Sequence, residues 1–209
     1  MLSVDYALRA NGGSIIPSLT SETQGYREVN LGVWDRVLFL VRGYYVQHAT
    51  ITPPHAIVED VVRVGQCWAF SGSHGHVGIS LAEPIIITHI TFHHPDHREL
   101  SPETLAQAPS VIYLWSLLPH EESHSLDPRR YPVVSGENFV TRKGHRSPGS
   151  FLRLANVTYQ PLSGNQYTVL VTPTGIISSS VVLEVTDNAG GNRTCLYRIS
   201  VHGIPPKVV

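Results

Sequence analysis

At 209 residues the chain has the size of one ordinary domain and can bury a substantial core. Its 24 Val, 14 Ile and 14 Thr, punctuated by 17 Gly and 15 Pro, lean towards an all-β fold. With 15 Lys plus Arg against 16 Asp plus Glu, the net charge of -1 offers no field to hold a phosphate backbone, so a nucleic-acid partner is excluded. No apolar run approaches the about 18 residues that span a bilayer. Residues 1–10 carry Asp5 and Arg9 where a secretory signal needs an unbroken apolar stretch. A lumenal role therefore implies a fragment of a longer chain, with membrane attachment only through segments absent here, or another route.

In chain order, residues 5–11 read as a short N-terminal helix that Gly12 and Gly13 end with a left-handed cap, within a lead-in spanning 1–13. A strand follows at 14–19. Residues 21–53 form a long hairpin-like excursion, closed by Pro53 and Pro54. Strands are expected at 67–70, 76–81, 85–92 and 111–118, separated by Gly, Pro or His-rich turns. Between the last two, Ser101, Pro102 and Glu103 form a helix-start signature for one or two turns through Ala106. Residues 119–150 are polar and weakly basic and read as an irregular solvated loop. Strands return at 151–154, 167–172, 181–185 and 195–201. The spacing fits a single-domain sandwich over 1–209.

Gly65-Gln66-Cys67-Trp68-Ala69-Phe70 is the most pointed local string, because the residues from Cys67 to Phe70 also follow the nucleophile in papain-like cysteine proteases. Such an enzyme needs an oxyanion donor six residues earlier, a helix start at the thiolate and a downstream imidazole held by Asn. Here Val61 stands at the first of these positions, and only seven residues follow His202, the best-spaced imidazole. The protease reading is therefore disfavoured. His93, His94 and His97, or His120 and His124, lack the fixed third and fourth ligands that zinc requires. No Gly-x-Ser-x-Gly elbow supports a serine triad.

Cys195 lies 128 positions after Cys67. A disulfide between them would stabilise the fold by on the order of 4–5 kcal/mol in the chain-entropy model and would imply an oxidising lumen; two buried free thiols are the alternative. Asn156-Val157-Thr158 and Asn192-Arg193-Thr194 are N-glycosylation sequons.

Asp5-Tyr6-Ala7-Leu8 with Gly12-Gly13, the Cys67 string, Gly72 with Gly75, Pro84, Thr194-Cys195-Leu196-Tyr197-Arg198 and Val201-His202-Gly203 together resemble a SUN domain. The resemblance covers nearly the whole chain and is poor over 21–53 and 119–150. It implies a galactose-binding-like β-sandwich with no enzymatic activity. It further implies placement at the inner nuclear membrane, facing the perinuclear space, as a homotrimer that binds the C-terminal tail of a KASH-type partner. The endoplasmic reticulum, where divergent relatives occur, is the alternative location. A carbohydrate-binding sandwich is the rival function, since folds do not fix function.

The same resemblance implies the following residue roles. Cys67 and Cys195 pair in a disulfide. Main-chain oxygens of Ala56, Glu59, Val61, Gln66 and Tyr197 hold a structural K+ or Na+, with no other cofactor. His94 and Tyr197 match the pocket for the tail carboxylate, which Gln107 and Arg193 complete in place of the family's Ser and Tyr. Thr20 stands where some relatives carry a cysteine that bonds the partner, so binding is expected to be non-covalent. The lid that receives the partner's strand corresponds to residues 21–53.

Overall fold

The computed structural model describes residues 4–25, 51–118, 132–135, 149–159, 165–171 and 174–206. Their elements are mostly antiparallel strands: β1 (Ser14–Ile16), β2 (Trp68–Ser71), β3 (Gly75–His93), β4 (Pro109–Leu118), β5 (Val133–Ser135), β6 (Ser150–Thr158), β7 (Gln166–Leu170), β8 (Ile177–Asn188), β9 (Arg193–Leu196) and β10 (Ile199–Ile204). One α-helical turn, α1 (Pro102–Leu105), starts at Ser101, whose hydroxyl accepts from the Thr104 amide as the helix-start signature predicts.

The architecture is a β-sandwich in which β3 serves both layers. Its first part pairs with β1 and β8, in a sheet ordered β1-β3-β8-β4-β6-β5. Its second part pairs with β7 and β10. A register shift between Ser80 and Ile85 interrupts the pairing with β8, which resumes at Ile85 and Ile86, and Glu83 and Pro84 are exposed there. Sequence reading splits this segment at Pro84, but a proline has no N–H to lose at a shift where pairing is already interrupted, so the strand continues. Ile79, Ile85, Ile90, Ile112, Leu114, Leu152 and Leu183 fill the space between the layers.

Other expectations shift for local reasons. The N-terminal helix is one 3-10 turn, Arg9–Asn11, closed by Gly12 at φ 109°. The strand expected at 14–19 ends at Ile16, because Pro17 cannot donate to the ladder and opens the 3-10 turn Pro17–Leu19. The strand expected at 195–201 is two strands: Tyr197 and Arg198 lie between them, where the chain leaves its partner β2 and joins β3. Within 119–150, Val133–Ser135 pairs with β6. Most of the excursion at 21–53 lies outside the described residues. Its two ends meet, since a Cβ on Gly25 would sit 3.8 Å from Ile51 Cγ1.

The small sheet β2-β9 closes one end of the sandwich. Trp68 and Phe70 point inward from β2 and are fully buried, and Phe70 packs so closely on Gly75 that a Cβ there would lie 2.5 Å from its ring. Between these two inward residues, Ala69 pairs with Cys195, and the neighbouring Cys67 is joined to Cys195 by a disulfide with a Cα to Cα distance of 5.5 Å. The bond closes a loop with a sequence separation of 128. Replacing both cysteines by Ala is expected to cost about 5 kcal/mol of unfolding free energy, read as a lowered urea midpoint under oxidising conditions with no difference from wild type once both are reduced.

Candidate functional site

Four residues proposed for the tail-carboxylate pocket come from three distant segments, and the fold brings them together as two pairs that share the strip from Arg193 to Tyr197. His94 follows β3 and Tyr197 follows β9; their rings meet edge to face at 4.8 Å, and both are buried. The His94 Nδ1–H donates to the Pro95 carbonyl at 3.1 Å, and burial lowers the imidazole pKa, so the ring is neutral near pH 7. Burial raises the Tyr197 phenol, an effect opposed by its contact with the Gly65 amide and by the charge of Arg193. At the other end of the strip, Arg193 Nε donates to Gln107 Oε1 at 2.7 Å. Arg193 is exposed and Gln107 half-buried.

Each pair is held by backbone bonds to the same strip. The Cys195 amide donates to the Gln107 carbonyl at 2.8 Å, docking the segment after α1 against β9. Asn188 is buried, and its amide group donates to the carbonyls of Gly191 and Arg193 and to Thr194 Oγ1, fixing the turn that presents Arg193. Arg193 thus has one N–H edge committed to Gln107, while its two terminal nitrogens offer the geometry that suits a carboxylate. A void of about 10 Å³ beside the His94–Tyr197 rings is lined by Tyr159 and Cys195 among others, room for one water. Burial there pushes the Tyr159 phenol up to about 12.

The candidate cation loop borders the pocket through Tyr197. The Gly65 amide donates to the Tyr197 hydroxyl at 3.4 Å, and Arg198 Nη1 donates to the Asp60 carbonyl at 3.0 Å. Ala56, Glu59, Val61 and Gln66 line a cavity of about 420 Å³ together with Ile51 and Thr52 from the end of the excursion, among others. Ala56 O takes only a 3.4 Å contact from the Glu59 amide. Among the described residues the carbonyls of Glu59, Val61, Gln66 and Tyr197 accept no hydrogen bond. Unpaired main-chain oxygens around a solvent-facing loop suit a hard, weakly held cation.

Other sequence-level candidates fall elsewhere. Cys67 is consumed by its bond to Cys195 and precedes a strand, which removes the thiolate a cysteine protease needs. His93 is turned to Ser200 Oγ at 2.9 Å, and among the described residues no three metal-binding side chains converge. His120 and His124 lie outside the described residues. Thr20 is folded inward, donating to the Ile16 carbonyl and accepting from the Gly78 amide. Asn156 and Asn192 are both exposed.

Sequence reasoning missed the role of Asp5. It is buried, forms an ion pair with Arg198 at 2.9 Å and accepts from the amides of Ala7 and Val201. No local pattern signals a contact across 193 positions.

Known proteins share features of this sequence and fold. Residues 47–131 match the family model described as Sad1 / UNC-like C-terminal. SUN domain-containing protein 3 of Mus musculus is 30% identical over 202 residues, covering 96% of this chain and 52% of that protein. The nuclear migration and anchoring protein unc-84 of Caenorhabditis elegans is 27% identical, covering 96% of this chain and 15% of its own length. The chain is a homologue of the SUN-domain proteins. It spans about half the length of several of these relatives or less. The fold resembles the family 32 carbohydrate-binding module of Streptococcus pneumoniae EndoD at a TM-score of 0.54 and 9% identity, covering 96% of this chain and 99% of the module. A putative chitobiase fragment from Bacteroides thetaiotaomicron is similar at 0.56 and 10%, covering 100% and 96%. These identities establish a shared galactose-binding-like sandwich and leave the ligand open.

His93 makes the fold acid-sensitive. Burial first, then the charge of Arg198, lower its pKa from 6.5 to about 4, against a smaller opposing pull from Asp5. The unfolded chain therefore takes up a proton between pH 6.5 and about 4 that the folded one refuses, so stability is full above 6.5 and falls as pH drops through that window. Urea midpoints at pH 7.5 and 5.0 should differ in wild type, and His93→Asn should narrow the difference.

Proposed function

We propose that this SUN-type domain binds the C-terminal tail of a KASH-type partner in the perinuclear space, without catalysis, as one link between the nucleus and the cytoskeleton. The observation that carries the reading is that one strip holds Arg193 against Gln107 at one end and Tyr197 against His94 at the other, with Tyr197 also touching Gly65 in the loop that lines a cavity with Ile51. An extended tail that adds to the excursion as a strand delivers its terminal carboxylate to the guanidinium, and the buried His94 ring brings no competing charge.

Several parts of the reading rest on the family. The protein that presents the domain is anchored in the inner nuclear membrane and assembled as a trimer, so three shallow sites act with a high effective concentration. The endoplasmic reticulum is the alternative location. Carbonyls of Ala56, Glu59, Val61, Gln66 and Tyr197 hold a monovalent cation that stiffens residues 56–66 and, through Tyr197, the pocket. The Cys67–Cys195 disulfide agrees with an oxidising compartment.

The test fuses the chain to a trimeric coiled coil and measures binding of a KASH-type tail peptide as the free acid and as the C-terminal amide. The free acid should bind at least about tenfold more tightly, the scale of a charge-assisted pair. Arg193→Gln should remove that advantage and leave the amide unchanged. Equal affinities for the two peptides would remove the carboxylate from the account, and binding to glycans with no peptide binding would favour a carbohydrate-binding function.

A further inference from the structure

We infer that Asn156, and not Asn192, carries an N-linked oligosaccharide; the inference rests on the lumenal placement proposed above. Two sequons that are equivalent as strings differ in how the fold treats their third residue. Transfer needs the acceptor amide and the hydroxyl two positions later presented together, so the state of that hydroxyl discriminates between them.

At Asn156 the acceptor amide and the hydroxyl two positions later both stay accessible. Asn156 and Thr158 are exposed on β6, with Val157 turned into the core between them. β6 pairs with β4 along its length, but its pairing with β5 ends at Leu152, so among the described residues 154–158 form a sheet edge. Asn156 shares a rung with Tyr113 and Glu184 on the face away from the main core. Tyr113 belongs to a second apolar cluster on that face, with the Arg153 guanidinium 5.4 Å from its ring centroid. A sugar on Asn156 therefore lands beside an aromatic ring and covers an unpaired strand edge. That cover removes a template for unwanted strand addition.

At Asn192 folding withdraws the hydroxyl. Thr194 is completely buried; its Oγ1 donates to the Gly72 carbonyl at 2.7 Å and accepts from Asn188 Nδ2 at 3.1 Å. The next residue, Cys195, is joined to Cys67. Once β9 pairs with β2 and the sulfurs couple, no transferase can reach this sequon, so disulfide formation competes directly with modification. An oligosaccharide there would also stand beside Arg193.

The step is a glycosyl transfer from a polyprenyl diphosphate oligosaccharide. Asn156 Nδ2 forms a bond to C1 of the reducing-end sugar as the C1–O bond breaks. The polyprenyl diphosphate leaves with the electron pair, and one amide proton passes to a base of the transferase.

To test this, the chain is expressed behind a cleavable signal sequence in cultured animal cells and analysed by endoglycosidase treatment and peptide mass mapping. Wild type should carry one oligosaccharide, lost in Asn156→Gln and in Thr158→Ala and retained in Asn192→Gln. Replacing Cys67 and Cys195 by Ser should add a second, at Asn192. An unmodified Asn156, or an Asn192 modified as fully as Asn156 in wild type, would overturn the assignment. If the signal-bearing chain is modified while the full-length protein in its own cells is not, the site stands and the lumenal placement falls.

Discussion

One strip of six residues, 193–198, fastens almost every part of the molecule that concerns function, and the bond at its centre is the Cys67–Cys195 disulfide. Arg193 holds Gln107, Thr194 holds Gly72 and Asn188, Tyr197 meets His94 and Gly65, and Arg198 reaches Asp5 and Asp60. The alternation of a strand explains how one strip serves so many neighbours: successive side chains leave on opposite faces. Four ladder pairs with β2 are too few to hold such a strip by themselves. The covalent link fixes the register, and with it the position of every side chain the strip presents.

The N-terminal lead-in is fixed to the same strip by charge. A buried ion pair is weak support for stability, because desolvating both groups offsets much of their attraction. Asp5 softens that cost by accepting from two backbone amides in addition to Arg198, and the Tyr6 amide and carbonyl extend the seam to Val201 and Ala82. The arrangement is specific because any other register would leave a carboxylate buried without donors. The same cation adds to burial, the larger cause, in keeping neighbouring His93 neutral. Fold specificity and acid sensitivity thus share one participant, Arg198.

The sequence makes the fold class and the motif-bearing strands legible because both rest on local signals: β-branched runs, turn residues and the cysteine, glycine and proline positions. Contacts between chain ends leave no such trace, which is why Asp5 registers only as a letter in a motif. Pro84 and Tyr197 mislead in opposite directions. A proline inside a continuous strand reads as a boundary although a register shift tolerates it, and the regular alternation through Cys195, Tyr197 and Ile199 reads as one strand although its partner changes midway. Tyr197 is buried because the switch turns it towards His94.

The candidate site inherits its rigidity from these constraints. Its residues come from the end of β3, the segment after α1 and the strip, so no single element could present them. Binding an extended tail already carries the cost of ordering the peptide, and a site that also had to assemble itself would add a second. Here the long Arg193 side chain, otherwise free to sample many rotamers, is restrained through Nε by Gln107, which is restrained in turn by the backbone of Cys195. Gln107 and Arg193 are therefore coherent as a pair: either alone would be a flexible surface side chain, whereas together they hold a planar cation in a fixed orientation, which is what the proposed capture of a terminal carboxylate requires.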